Sequence, residues 1–227
     1  MKTKYGFPVV DSENIFQILK DMGIKPWPQI GKPMPLEKYV AGDLTAEQKI
    51  EGEKFAPKSE VVFLSQPDGK IFNGFRATGE DGVIAFTILE QNLVVIVADF
   101  VHGGEVIRLK PPAGFYGKDQ EKSALNCIKR EIREETGIVL QDNEIIPLAG
   151  SEGICDEPRR ITMKEYYFLA RPRSPITPLP ARPDATEFLQ TILVPLREWL
   201  KLIKTGKVKD STSITATTLA LFELGLL

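Results

Sequence analysis

Cysteine is scarce in this chain, with Cys127 and Cys155 alone among 227 residues. They lie too far apart for a metal-binding or redox spacing, so both are read as buried free thiols. Long apolar runs are absent too. No stretch approaches the roughly 20 residues of a spanning helix, and the first residues carry no signal-like apolar core. The expectation is a soluble, cytoplasmic protein with no membrane partner. Charge of one sign is also missing. The formal net charge is −2, and no basic patch interleaves with aromatics, which excludes an electrostatically driven nucleic-acid partner.

What remains is ordinary globular material, 42% hydrophobic and 26% charged. The length suits one large domain, or one with a substantial appendage. Residues 1–57 read as a partly helical N-terminal extension. Asp11 or Ser12 is placed to cap a short helix with Ile15, Phe16, Ile18, Leu19 and Met22 as its apolar stripe and Gly23 as its stop. Prolines around Trp27 and Met34 break regular structure, and a second helical piece is expected from Thr45. Trp27 and Phe55 are read as packing residues rather than ligand platforms.

From Glu60 the period changes to that of strands. Glu60–Ser65 and Lys70–Ala77 flank Pro67-Asp68-Gly69, a hairpin turn that sets off a subdomain at 58–81. Val83–Leu89 and Leu93–Phe100 form a second strand pair, and Glu105–Leu109 a short strand before Pro111-Pro112-Ala113-Gly114. Further on, Lys164–Ala170 and Phe188–Val194 read as strands. The five prolines between Arg171 and Pro183 impose an extended loop. Pro195 opens one helix, and Ser211 caps the last.

The chemistry concentrates at Arg130-Glu131-Ile132-Arg133-Glu134-Glu135-Thr136-Gly137-Ile138. Strong helix formers precede Gly137, which supplies a left-handed stop. Glu131, Glu134 and Glu135 fall within an arc of about 100° on one helical face, beside an apolar arc of Leu125, Ile128 and Ile132. Three carboxylates near a helix C-terminus repel one another and oppose the macrodipole. Either Arg130, at i,i+4 from Glu134, offsets them as a solvated ion pair, or a hard divalent cation does. On the first view, Glu135→Gln changes little. On the second, it removes activity and leaves folding unharmed or slightly improved, because a like-charge repulsion of a few tenths of a kcal/mol is lost.

The nine residues resemble the second half of the Nudix hydrolase box at every position. In the first half, Lys122 stands where the family has Glu, with Glu121 beside it. Gly114 lies two residues early, so the loop to Asp119 looks like an insertion. Ten residues along a continuous helix is about 15 Å, which would put Glu121 out of reach of the carboxylate cluster. The approach from Asp99 to Gly114, the loop Ser151-Glu152-Gly153-Ile154-Cys155-Asp156-Glu157 and the terminal helix are most similar to the ADP-ribose pyrophosphatase group. Val101 and Glu152 replace that group's usual Arg and Pro.

The resemblance implies an α+β protein: a Nudix α/β/α sandwich with a mixed sheet over residues 82–227, plus a small antiparallel N-terminal sheet. It implies metal-dependent hydrolysis of a nucleoside diphosphate linked to another moiety, such as ADP-ribose or a related ADP-sugar, to two phosphate monoesters. Mg²⁺ is the expected ion, with Mn²⁺ an alternative, and the partners are a small nucleotide and a second copy in a homodimer. By the same resemblance Glu131, Glu135 and the Ala113 carbonyl are metal ligands, Glu134 is a ligand or orients the attacking water, and Arg130 holds Glu134. Glu187, Asp184 and Glu157 are candidate general bases. Ser151, Gly153, Asp156 and His102 are candidate substrate contacts, His102 also matching a turn residue. The alternative is a nucleotide-binding or regulatory module of the same fold with weak or lost turnover.

Overall fold

The computed structural model describes residues 5–29, 45–46, 58–101, 104, 106–117, 121–155, 157–158, 160–173, 176–182 and 188–227. The helix expected from Thr45 runs into residues outside these ranges, as do Phe55, His102, Asp156, Asp184 and Glu187. The chain divides into two compact units, one of Met1–Pro26, Glu80–Asp156 and Lys164–Leu227, the other of Trp27–Gly79 and Glu157–Met163.

In the larger unit β3 (Asp81–Leu89) and β4 (Leu93–Val101) are buried along most of their length. Their alternate residues feed two separate cores. Ile84, Phe86, Val94 and Ile96 face one; Val83, Ala85, Leu89 and Val95 face the other. A sheet apolar on both faces must be covered on both, and helices do this. β3 pairs in parallel with β8 (Glu165–Ala170) and antiparallel with β6 (Ala113–Tyr116), and β8 pairs with β7 (Ile145–Leu148). β4 pairs antiparallel with β5 (Val106–Lys110) and β9 (Leu189–Pro195), and joins β3 only at their shared end. The result is a seven-stranded mixed sheet.

Helix α1 (Ile15–Asp21) sends Ile15 and Leu19 into the first core, beside Trp199 and Leu202 of α3 (Leu196–Lys204) and Ala216 and Ala220 of α4 (Ser211–Glu223). Helix α2 (Ala124–Thr136) covers the second with Cys127, Ile128 and Ile132. Residues 5–26, assigned from the sequence to the extension, therefore belong to the larger unit; Val10 N–H also donates to the Leu193 carbonyl at 2.8 Å. Two caps differ from expectation. The N-cap position of α1 is Asn14, without a side-chain bond, and Asp11 accepts from the Glu13 and Asn14 N–H groups in the turn ahead of it; Asp210, not Ser211, accepts from Thr212 N–H to open α4. A carboxylate one residue earlier meets the free amides better than the helix's own first hydroxyl does.

In the smaller unit β1 (Lys58–Ser65) and β2 (Ile71–Thr78) pair antiparallel in full register. Gly69, at φ 82°, makes the turn, and Asp68 accepts from Lys70 N–H at 3.1 Å. No helix among the described residues is long and apolar enough to cross a membrane.

Candidate functional site

Helix α2 begins later than its composition suggests. Ser123, in extended conformation, accepts from Asn126 N–H at 3.2 Å, and Glu121 and Lys122 before it are not helical. That overturns the distance argument against Glu121. Freed from the helix, Glu121 folds back and takes the Arg130 Nε at 2.6 Å. At the other end Gly137 adopts φ 71° and donates to the Arg133 carbonyl. A β-carbon there would stand 1.8 Å from the Leu179 carbonyl oxygen, so glycine is required for space as well as for conformation.

That close neighbour belongs to the proline-rich segment. Leu179 N–H donates to the Gly137 carbonyl at 2.9 Å and Arg182 N–H to the Glu134 carbonyl at 2.8 Å. These bonds satisfy acceptors that a helix C-terminus leaves open. The segment and the outer face of α2 enclose a groove of about 620 Å³ lined by Lys129, Arg133, Glu134, Leu179, Pro180 and Arg182.

The three box carboxylates do not share one environment. Glu134 is partly exposed and meets Arg130 Nη1 at 2.6 Å. Glu131 is 8% exposed and meets Arg130 Nη2 at 2.8 Å. Burial pushes its carboxyl up to about 7, with Arg130 pulling the other way and Glu135 adding to the rise. Burial works against the charge on Arg130, but Glu121, Glu131 and Glu134 more than offset it and hold the guanidinium above its ordinary pKa. Glu131 lies directly over Gly114, where a β-carbon would come within 2.1 Å of its Oε1.

Glu135 is 1% exposed and enclosed by the turn between β5 and β6. Its Oε1 accepts from Lys110 Nζ at 2.6 Å and its Oε2 from Ala113 N–H at 3.1 Å. The same ammonium donates to the Ala113 carbonyl at 2.8 Å. Ala113 opens strand β6, with both of its backbone polar groups turned to this cluster, so residues 114–116, read from the sequence as the start of an inserted loop, are strand paired with β3. Lys110 was not singled out from the sequence. Its signal is a cation closing the mostly apolar strand Val-Ile-Arg-Leu-Lys, three residues before Ala113.

The remaining candidates scatter. Ser151 is exposed, and Gly153, at φ 68°, packs close to Lys164 and Tyr166. Near it Tyr116 and Tyr166 make an edge-to-face pair with centroids 5.6 Å apart. Glu157 is exposed and belongs to the smaller unit. Cys127 is a buried thiol, its pKa pushed up to about 12 by burial.

The donor chemistry suits a hard divalent ion, but the arrangement does not. Lys110 bridges the two oxygen donors of Glu135 and Ala113, and Arg130 holds Glu131 and Glu134. Among the described residues no three His, Cys, Asp or Glu side chains converge to hold a metal. The residues as arranged do not fit the ion implied by the resemblance.

No family model matches the chain, and no curated protein matches it in sequence. Its fold does match. A solved structure described as an ADP compounds hydrolase superposes with a TM-score of 0.63 at 20% identity, covering 76% of this chain and 90% of that one. The likeness is one of architecture, and the chain has a Nudix-like α+β fold with a mixed sheet between helices and a small separate antiparallel sheet.

Proposed function

We propose that the protein hydrolyses the diphosphate bond of an ADP-linked compound, ADP-ribose or a related ADP-sugar, to two phosphate monoesters. One observation carries this reading. On one helix Arg130 pairs with Glu131 and Glu134, while Glu131 lies over Gly114 and Glu135 bonds to Ala113, in a fold like that of a solved ADP compounds hydrolase. In the reaction a water oxygen bonds to one phosphorus as its bond to the bridging oxygen breaks, and the proton leaves to a base. Negative charge develops on the phosphates, and fixed positive charge stabilises it. Lys110 and Arg130 place such charge inside the carboxylate cluster, and Lys129, Arg133 and Arg182 place it along the adjoining groove.

A second reading, binding of the nucleotide with little or no turnover, is favoured by the ion pairing of all three carboxylates. The two part in one experiment. Purified protein is incubated with ADP-ribose, other ADP-sugars and ADP itself, each with Mg²⁺, with Mn²⁺ and with a chelator, and phosphate monoesters are counted. Release of AMP from an ADP-sugar supports hydrolysis. Micromolar binding by calorimetry without release supports the binding module. Neither result on any compound sinks both.

A further inference from the structure

We propose that Lys110 is a tethered cation standing in for a divalent ion at Glu135 and the Ala113 carbonyl, so that this position takes no metal in the intact protein. The inference rests on reading the α2 carboxylate cluster as a diphosphate site, but it concerns the cluster's own charge balance. Lys110 is 5% exposed and its Nζ lies 2.6 Å from Glu135 Oε1 and 2.8 Å from the Ala113 oxygen. A Mg²⁺ ion needs its oxygens at about 2.0–2.1 Å in near-octahedral geometry. An ion bound to these two oxygens would overlap the ammonium and repel it.

Neither partner is free to turn away. Glu135 Oε2 is held by Ala113 N–H at 3.1 Å. The Glu135 carbonyl accepts from Thr191 Oγ1 at 2.8 Å, which anchors the residue to β9. Lys110 itself sits in strand β5 opposite Val97, and Pro111-Pro112 stiffens the chain on its other side. Swinging the ammonium out would take the hydrogen-bonded cation away from a carboxylate that is 1% exposed, which the interior strongly disfavours. Beside Arg130, the cluster therefore carries a second built-in positive charge that no chelator removes.

The test counts ions rather than turnover. Mn²⁺ stoichiometry is measured by calorimetry and by electron paramagnetic resonance on wild type, Lys110→Met and Lys110→Met/Glu135→Gln, with melting curves in Mn²⁺ and in chelator. The expected result is that Lys110→Met gains one Mn²⁺ per chain over wild type. Its melting point falls in chelator and recovers in Mn²⁺, and the double variant loses both the extra ion and the recovery. Equal stoichiometry in wild type and Lys110→Met overturns the proposal.

Should Lys110→Met fail to fold, the wild type decides. The Lys110 ammonium and Glu135 carboxyl resonances are followed during a Mg²⁺ titration. Unmoved signals support the tethered cation, and loss of the ammonium signal with a shift of the carboxyl refutes it. If wild type hydrolyses no ADP compound while the ion counts come out as expected, the proposed function falls and the Lys110 assignment stands. The reverse pattern removes Lys110 alone.

Discussion

Replacing Glu135 by Gln tests the structural logic of the cluster without reference to activity. On the helix surface alone, the change should relieve a like-charge repulsion worth roughly 0.2–0.5 kcal/mol and slightly stabilise the protein. The fold reverses that sign. The side chains of Glu135 and Lys110 are 1% and 6% exposed, and their charged atoms are 2.6 Å apart. Removing one partner of a buried pair leaves the other uncompensated, at a cost of about 3–5 kcal/mol, some tenfold more than the relieved repulsion. For a chain of this size each kcal/mol moves the melting point by about 2–4 °C, so a fall of roughly 6–20 °C is expected. Glu134→Gln is the control. Its pair with Arg130 is half in solvent, side chains 34% and 42% exposed, and should cost no more than about 1 kcal/mol. Urea and thermal unfolding of wild type, Glu135→Gln, Lys110→Met and the double variant complete the cycle, with a coupling of about 1–3 kcal/mol expected. A Glu135→Gln protein melting at or above the wild-type temperature would refute the buried pair.

Three further predictions follow from the same geometry. Gly114→Ala drives a β-carbon to within 2.1 Å of Glu131 Oε1 and displaces that carboxylate; ADP-sugar hydrolysis should fall about tenfold or more while melting drops only a few degrees, because the Glu131 side chain can shift. Glu131, raised from 4.5 to about 7 by burial, keeps its proton in the folded state longer than in the unfolded one. Stability should therefore fall as pH rises from 4.5 to 7, by roughly 3 kcal/mol in all, and level off above; melting curves of Glu131→Gln should lack that slope. The hairpin presents Phe63, Ile71 and Phe75 on one face, each more than 70% exposed, and a two-stranded sheet this apolar is expected to be covered by a second copy. Light scattering should give a homodimer, and Phe63→Glu/Phe75→Glu a monomer of 25.3 kDa.

Local pattern determined much of this protein. The short apolar runs from Val83 to Leu89 and from Leu93 to Phe100 mark a pair of strands by length and β-branched content; that both faces are covered is decided by the packed helices, since an extended chain sends alternate side chains to opposite sides. Gly137 marks the end of α2, because a left-handed residue is a local requirement, and the Pro67-Asp68-Gly69 turn makes its hairpin for the same reason. The spacing of Arg130, Glu131, Glu134 and Glu135 placed them on one helical arc. Tertiary structure decided what that arc touches. Glu131 and Glu135 differ by one turn of helix, yet one takes Arg130 and the other Lys110, because β5 and β6 bring Lys110 and Ala113 within hydrogen-bond distance of the second. Glu121 reaches Arg130 because Ser123 starts the helix, a competition between cap and propensity that composition favoured the other way. Burial sets both the sign of the Glu135→Gln effect and the proton affinity of Glu131. It is a property of the packed strands over α2, and no periodicity along the chain encodes it.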